Sequence, residues 1–323
     1  MKFNYIKKIV YSLIVLSVIS FSNHALAFEK TKSSSIPMND FVVEPGKTEI
    51  FVNPGETVTK EVKITNRIGK TMKFKLTTED MEGTNDANSP IKLMGDEQGP
   101  YSLKNFIVPE INEFSLDTGE SISISVKVSV PADAEPKGYY GALIVSDEPD
   151  VISSDQQTKD SEGQARLVSR IGSLFLLRIN GEGKESGSLQ SFKILGPAKS
   201  FYENRPSGFE ILFKNDGNVH LVPHGMIIIK NILGKEIAEI PVDAYFSLPG
   251  STRYREVLWG DGSGLGRYTA NLSLYKGYGN DNVNSTISFW IIPWKILVAV
   301  LVGLVVFISL VYYVLTRFEL KKK

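Results

Sequence analysis

Two histidines are the first residues whose type and spacing could support chemistry. His220 and His224 stand four residues apart in the segment HLVPHG, a spacing that would let one face of a helix hold a metal ion. Pro223 and Gly225 disfavour a helix there, and no acidic residue adjoins the pair. We therefore predict two turn or strand histidines and no metal site.

Clusters of oxygen-bearing side chains could instead bind Ca²⁺. The clusters are Glu79, Asp80, Glu82 and Asp86 in EDMEGTND, and Asn280 with Asp281 in GNDN. Neither cluster follows the spacing of an EF-hand loop, and Asp and Asn are common in ordinary turns. The sequence thus predicts loops at both places, with Ca²⁺ binding left open.

The remaining catalytic signatures are missing from the sequence. The chain has no cysteine, which excludes disulfides, a thiol nucleophile and a cysteine zinc site. The glycine run GDGSGLG precedes a predicted strand, whereas a phosphate-binding loop opens a helix. We find no nucleophile elbow or dinucleotide fingerprint. We expect a protein that is not an enzyme and that needs no cofactor.

The elements that would position any site are strands. SISISVKVSV alternates apolar and polar residues over ten positions, which predicts a half-buried strand. Shorter segments alternate in the same way, namely VKITN, MKFKL, LFLLRI and FEILF. Glycine and proline turns such as EPGK, NPGE and LPGS separate them. This pattern predicts an all-β protein built from antiparallel sandwiches.

Two immunoglobulin-like sandwiches fit the length better than one. We predict the first over residues 28–183 and the second over 184–290, because the polar segment NGEGKESGS lies between them. Each half also contains an alternating strand that ends in Asn66 or Asn215 and is followed by a glycine turn. In the second half, SLPGSTRYREVLWGDGSGLGRYTANLSLY resembles the last hairpin of such a module.

An acidic segment interrupts the first sandwich. Residues 146–163 contain six acids, one lysine and few apolar side chains, a composition that predicts a mobile loop. Basic and acidic residues balance at 36 each over the whole chain, but both chain ends are basic, so the portion between them is acidic. That balance disfavours nucleic acid as a partner. The loop is either a solvated excursion or a docking element for a partner.

The two ends of the chain predict a membrane topology. Residues 1–27 have the lysines, apolar stretch and Ala-Leu-Ala end of a signal peptide, with an uncleaved anchor as the alternative. Residues 291–316 read as an interface segment and a transmembrane helix, and 317–323 as a basic cytoplasmic tail. The predicted anchor residues are Trp290, Trp294, Arg317, Lys321, Lys322 and Lys323. We expect a single-pass protein of the cell membrane whose two sandwiches lie outside the cytoplasm.

The first half resembles a known bacterial domain. FVVEPGKTEIFVNPGETVTKEVKITNRIGKTMKFKL, followed by VPADAEPKGYYGALIVS and ARLVSRIGSLFLLRI, is similar to the immunoglobulin-like peptidoglycan-binding domain of WxL-interacting proteins. The resemblance implies a surface protein with a signal peptide, two sandwiches and one C-terminal span. It also implies that the first domain contacts peptidoglycan and the second an exported protein. PKGYYGALIV in addition resembles periplasmic pilus chaperones.

Two functions follow from these observations. The first is a membrane-anchored binding protein of a bacterial cell surface that contacts wall glycan, an exported protein partner or both. The alternative is an assembly or secretion accessory that pairs strand edges as chaperones do.

Tyr139 is the candidate ligand contact for the first function, because an exposed ring can stack on the apolar face of a sugar. Tyr140 should be buried, since it shares a strand face with Ala142 and Ile144. Strand alternation then leaves Tyr139 exposed.

Overall fold

The structure is a computed structural model that describes residues 30–32, 37–86, 89–148, 168–260, 262, 264–279 and 282–317. The predicted signal peptide, the candidate Ca²⁺ ligands Asn280 and Asp281, and Lys321 to Lys323 lie outside these residues, as does most of the acidic segment. The described part contains eighteen strands and, at its C-terminal end, one helix.

The first sandwich is built from β1 to β11. Its strands are β1 (Lys30–Lys32), β2 (Asp40–Glu44), β3 (Lys47–Val52), β4 (Thr57–Arg67), β5 (Met72–Gly83), β6 (Ile91–Leu93), β7 (Ile107–Pro109), β8 (Glu113–Leu116), β9 (Glu120–Ser129), β10 (Gly138–Glu148) and β11 (Arg170–Ile179). One sheet has the order β1-β9-β4-β2, with β7 also on β9, and the other has the order β3-β11-β10-β5, with β6 and β8 on β5.

The second sandwich is built from β12 to β18. Its strands are β12 (Gly187–Ile194), β13 (Gly208–Asn215), β14 (His224–Asn231), β15 (Glu236–Val242), β16 (Thr252–Leu258), β17 (Gly266–Tyr275) and β18 (Asn282–Ile291). They form a three-stranded sheet, β12-β13-β16, and a four-stranded sheet, β15-β14-β17-β18. This division of seven strands is an immunoglobulin-like topology.

Each sandwich buries the alternating residues that the sequence predicts to face inward. In β9, Ile122, Ile124, Val126 and Val128 are 0 to 2% exposed, and they pack with Phe74 of the opposite sheet in one core. In the second core, Phe209, Ile211 and Phe213 of β13 are fully buried. Strict alternation thus identified the strands and their inner faces correctly.

One corner is built in the same way in both sandwiches. Asn66 donates its side-chain amide to the carbonyls of Lys70 and Leu116, at 2.8 Å each, and its side-chain oxygen accepts from the N–H of Ile68. Its main-chain carbonyl accepts from the N–H of Gly119. Asn66 therefore ties the turn after β4 to the turn before β9.

Asn215 occupies the equivalent corner of the second sandwich. Its amide bonds the carbonyls of Val219 and Ser247 at 2.9 and 2.7 Å, and its side-chain oxygen accepts from Gly217. Its main-chain carbonyl accepts from Gly250. Both asparagines are fully buried, so the repeated phrase seen in the sequence marks a repeated structural corner.

The two sandwiches meet across a small apolar contact. Met81, Tyr140 and Leu176 of the first sandwich cluster with Leu248 of the second. The main chains also touch, because the N–H of Gly138 donates to the carbonyl of Asn218 at 2.9 Å.

The helix α1 (Trp294–Arg317) follows β18 directly. Its 24 residues correspond to a length of roughly 36 Å, enough to cross the hydrocarbon layer. It is the one helix among the described residues that is long and apolar enough to cross a membrane. The predicted all-β fold class, with two immunoglobulin-like sandwiches and one C-terminal apolar helix, is confirmed.

Three finer expectations are wrong. The acidic segment does not begin at Ser146, because β10 continues to Glu148 and pairs with β5 there. The predicted hairpin of β16 and β17 does not form, because β16 pairs with β13 and β17 with β14 and β18. β18 ends at Ile291 and α1 ends at Arg317, so strand and helix each extend one residue past the predicted boundaries at 290 and 316.

Candidate functional site

The outer edge of β18 is an unpaired strand edge of the second sandwich. β18 pairs with β17 over ten residue pairs, from Gly266 opposite Ile291 to Tyr275 opposite Asn282, without a register shift. Among the described strands, no other pairs with β18. Only Tyr202 covers its end, by donating its N–H to the carbonyl of Trp290 and accepting from the N–H of Ile292.

Those two bonds fix which backbone groups face the open edge. Backbone groups of successive strand residues point to alternate sides. Because Trp290 and Ile292 point toward Tyr202, the N–H and C=O groups of Asn284, Thr286 and Ser288 point in the same direction, away from β17. They form a regular ladder to which an extended chain could add.

β18 also lacks the features that protect other edge strands. Its sequence, NVNSTISFWI, has no charge and no proline. The other edges carry charges, a proline or a bulge: β3 contains Lys47 and Glu49, β15 contains Pro241, β16 contains Arg253, and β12 has a bulge near Leu189. β18 is therefore the undefended edge of the described fold.

A groove runs beside this edge, between β18 and β12. It has a volume of about 340 Å³. The lining residues are Lys193, Ile194, Gly196, Ala198, Lys199, Ser200, Tyr202, Ile287, Ser288, Phe289 and Trp290. Ile194 and Ile287 are half-buried members of the second core, so the floor is apolar, while Lys193 and Lys199 make the rim basic.

The side chains around the groove are held by an ion pair, a ring contact and a hydrogen bond within the second sandwich. Lys193 pairs with Glu210 at 2.8 Å, and the Tyr202 and Phe289 rings meet edge-on with their centroids 6.2 Å apart. On the outer face of the sheet, Thr286 donates to the Asn271 side chain at 2.9 Å. β18 is thus held by β17 on one side, with its other side free to pair.

The chemistry available here is recognition. Among the described residues, no group of three or more His, Asp or Glu side chains could hold a metal ion. The groove lining contains no acid and no histidine. What it offers is backbone hydrogen bonds along a strand edge and an apolar floor for alternate side chains.

Tyr139 lies elsewhere, in the first sandwich, and does not follow the prediction. Tyr139 is only 8% exposed and belongs to the core of the first sandwich, where its ring packs 5.3 Å from that of Phe106. Burial also raises the pKa of Tyr139. The expectation that this ring is exposed is wrong, because the outer face of β10 is covered by the second sandwich and the inner face by the core. Contact of Tyr139 with a ligand therefore stays an untested prediction that has lost its structural basis.

Tyr140 is buried as expected, but between the two sandwiches. Its ring packs against Tyr101 and His220, and its hydroxyl lies 3.4 Å from Nδ1 of His220. A Cβ on Gly138 would lie 1.8 Å from that hydroxyl. Gly138 therefore makes room for Tyr140, whereas the sequence suggested room for Tyr139.

The histidines are brought into different surroundings. His220 is 5% exposed, and burial lowers its pKa to about 4. His224 is exposed at the start of β14 and lies 4.9 Å from the Tyr275 ring. His220 thus contacts Tyr140 of the other sandwich, and His224 is a strand residue, in line with the turn-or-strand interpretation.

Three of the four acids that suggested Ca²⁺, Glu79, Asp80 and Glu82, lie in β5 and not in a loop. Glu79 and Asp80 are buried residues of β5. The Asp80 carboxylate accepts backbone N–H groups of Gly99, Leu103 and Lys104 at 2.9 to 3.0 Å, while Glu79 pairs with Arg170. Asp80 anchors the segment after β6. Both carboxylates thus already have partners within the fold.

The predicted membrane residues separate into three groups. Trp290, 44% exposed, is the penultimate residue of β18 and lies beside the groove, and Trp294, 47% exposed, begins α1. Arg317 ends α1, with its guanidinium 5.9 Å from the Tyr313 ring centroid. Lys321 to Lys323 lie outside the described residues.

Sequence analysis missed the β18 edge. Residues 282–290 were placed at the end of the second sandwich, but no strand was assigned to them. The signal was present, since Val283, Ile287 and Phe289 share one strand face and Asn284, Thr286 and Ser288 the other. That this strand would pair on one side only could not be deduced, because neighbours depend on the order of strands in the sheet.

Comparisons with known proteins bear on the fold alone. No protein-family model and no curated protein matches the sequence. A chain of the chaperone–tip adhesin complex of CFA/I fimbriae biogenesis is similar with a TM-score of 0.39 and 11% identity, over 76% of this chain and 98% of that one. The class 5 fimbriae chaperone CfaA gives 0.38 and 13%, over 76% and 98%. The E. coli chaperone DraB gives 0.33 and 13%, over 78% and 96%. At such values the likeness carries no argument for function.

Proposed function

We propose that this chain is a non-enzymatic, membrane-anchored extracytoplasmic protein that binds an extended segment of another exported protein by strand addition to β18. The single observation that carries the proposal is the free edge formed by Asn284, Thr286 and Ser288 beside the apolar groove. The proposal corresponds to the assembly-accessory alternative, and it gives that alternative a location.

Strand addition explains why an edge and a groove occur together. Backbone hydrogen bonds supply affinity at the edge, and pockets for alternate side chains supply specificity. A partner strand paired with β18 would point every second side chain into the groove, over Ile194 and Ile287. A partner segment with period-two apolar residues is therefore the expected ligand.

Membrane anchoring is the second part of the proposal. Its support is the length and apolar character of α1, with Trp294 at the start and Arg317 at the end. The signal-peptide pattern of residues 1–27 and the basic tail favour the sandwiches outside and the C-terminus in the cytoplasm.

Wall glycan is a further expectation that follows from the resemblance to WxL-interacting proteins. The residue that motivated it, Tyr139, is buried. Peptidoglycan therefore remains untested, and sedimentation of the purified chain with protein-free sacculi measures it independently of strand addition.

The experiment compares two variants of the full-length protein in producing cells. A photoreactive amino acid at position 199, on the groove rim, captures the bound segment. Thr286→Pro removes one outward N–H, whereas Thr286→Ala keeps that N–H and loses the same side-chain bond to Asn271. We expect capture with Thr286→Ala and loss of capture with Thr286→Pro, since an edge proline leaves the β17 ladder intact.

Melting of both variants separates loss of binding from loss of folding. If Thr286→Pro unfolds, a second variant, Ile287→Asp against Thr286→Asp on the outer face, tests the groove. Capture that is equal with proline and alanine, in folded proteins, would overturn strand addition at β18.

A further inference from the structure

The end of the second sandwich nearest α1 carries that sandwich's exposed apolar side chains. In the described part of the second sandwich, the large apolar residues that are exposed are Phe201, Ile232, Leu233, Ile237, Leu258, Leu265 and Trp290. The strand registers and neighbouring contacts place Ile232, Leu233, Leu258 and Leu265 in the half of the sandwich nearest α1.

The four-stranded sheet defines the level of the β14–β15 hairpin. Asn231, at the end of β14, pairs with Tyr268, and Tyr268 pairs with Phe289 of β18. β18 then ends at Ile291 and α1 begins at Trp294. The tip of the hairpin, two residues beyond Asn231, therefore projects in the same direction as the start of α1.

The three-stranded sheet brings the other residues to the same end. β13 begins at Gly208, opposite Leu258 of β16. The N–H of Trp259 bonds the carbonyl of Ser207, and the rings of Trp259 and Tyr268 meet edge-on at 6.3 Å. Leu258 and the loop that contains Leu265 thus lie beside the start of β17, close to the end of β18.

The hairpin tip presents its apolar residues in a fixed turn. The side-chain oxygen of Asn231 accepts from the N–H groups of Leu233 and Lys235, at 3.0 Å each. Gly234 takes the positive φ of 77° that closes the turn. Ile232 is 67% and Leu233 is 86% exposed, although tight turns usually carry polar residues. Neither side chain belongs to the core of the second sandwich.

We infer that the membrane-proximal end of the second sandwich rests on the lipid bilayer, with Ile232 and Leu233 inserted at the headgroup boundary. The inference rests on the proposed membrane span of α1. A span that begins at Trp294 sets the outer headgroup layer near that residue, the position that tryptophan favours. The hairpin tip, which the strand registers place near the level of Ile291, projects toward that layer. Exposed Leu and Ile near the basic Lys235 and Arg267 suit an interfacial environment.

The contact would hold the sandwich upright on its anchor. β18 joins α1 through only Ile292 and Pro293. A second attachment point at the hairpin tip, on another strand, restricts tilting about that short connection. The β18 edge would then be presented at a fixed height above the membrane.

Single cysteines test this inference, because the chain contains none. Leu233→Cys, Val108→Cys and Leu304→Cys are labelled separately with an environment-sensitive fluorophore in full-length protein, reconstituted in phosphatidylcholine–phosphatidylglycerol nanodiscs. Val108 is the matched control, since it is exposed in β7 of the first sandwich. Lipid with a nitroxide near its headgroup quenches labels at the bilayer surface, and lipid with a nitroxide deep in the acyl chain quenches labels within the span. We expect loss of emission at position 233 with the headgroup nitroxide, at position 304 with the acyl-chain nitroxide, and at position 108 with neither.

The outcomes distinguish the two levels of the proposal. Quenching at 304 but not at 233 overturns lipid contact by the hairpin and leaves the span intact. An unquenched label at 304, also with nitroxide deep in the acyl region, overturns the span itself. Equal quenching at 108 and 233 also overturns the inference, because contact is then not specific to the tip. If Leu233→Cys does not fold, Lys235→Cys reports from the same turn.

Discussion

The two sandwiches share a corner. They differ in the chain segment that leads to it, which is β2 and β3 in the first sandwich and β12 in the second. In the first sandwich, the chain changes sheet at Pro45 and Gly46, so β2 pairs with β4 while β3 pairs in parallel with β11 from Leu174 to Ile179. In the second, β12 stays beside β13 from Gly187 to Ile194. The last strand of the first sandwich is therefore largely covered, whereas that of the second is open.

This difference shows how one topology can be closed or made available for pairing. Where the chain crosses from one sheet to the other, as between β2 and β3, its second part becomes a neighbour of the last strand, β11. Where it stays in one sheet, as in β12, the last strand gains no such neighbour. The covering strand β3 also carries Lys47 and Glu49, which protect the new edge. The second sandwich has neither device at β18, and only Tyr202 covers the end of that edge.

The strongest test of the shared corner is removal of its asparagine in each sandwich. Asn66→Ala and Asn215→Ala each remove two donated bonds and one accepted bond and leave buried carbonyls unpaired. We expect each to lower the free energy of unfolding by about 1–3 kcal/mol or more. Denaturant unfolding of the full-length protein in detergent measures it, with Asn180→Ala as the exposed control. A loss in only one sandwich would break the equivalence of the corners.

Acid should weaken the contact between the two sandwiches. Burial lowers the pKa of His220 to about 4 from its usual 6.5, so between these values the unfolded chain binds a proton that the folded chain does not. The stabilisation from neutral His220 is complete above about pH 6.5 and is lost as the pH falls toward 4. Glu49, Lys47 and Arg178 face the ring and tune this range.

Unfolding curves across that pH range test the sign. His220→Asn should flatten the pH dependence, while His224→Asn, on the exposed histidine, should leave it unchanged. An unaltered slope with His220→Asn would mean that other groups dominate the acid response and that the interface is insensitive to this proton.

The smallest effect is expected from the acidic segment, which is found only in the first sandwich. Replacing residues 149–167 with a short Gly-Ser turn should change the melting temperature little, because loop closure entropy depends only logarithmically on length. Thermal unfolding of the full-length protein measures it. A large loss would show that the segment packs on the fold, and normal melting with lost partner capture would identify a docking element.

Local patterns in the sequence determined the elements. Period-two alternation identified β9 and β13 and their inner faces, because backbone geometry alone decides which side chains share a face of a strand. An uncharged apolar run identified α1, since its length must match the bilayer. The phrases ending in Asn66 and Asn215 indicated a repeated unit. The corner itself came from the tertiary structure, because these amides bond the carbonyls of Leu116 and Ser247, which are 50 and 32 residues away.

Tertiary structure decided what those elements meet. The sequence could not show that both faces of β10 are covered, and the prediction that Tyr139 is exposed was wrong for that reason. Nor could it show that β16 and β17 join different sheets. It also gave no indication that β18 pairs on one side only, or that Leu233 lies at the end of the second sandwich from which α1 starts. Each of these facts depends on contacts between residues far apart in the chain, and no local periodicity records which strand will lie beside which.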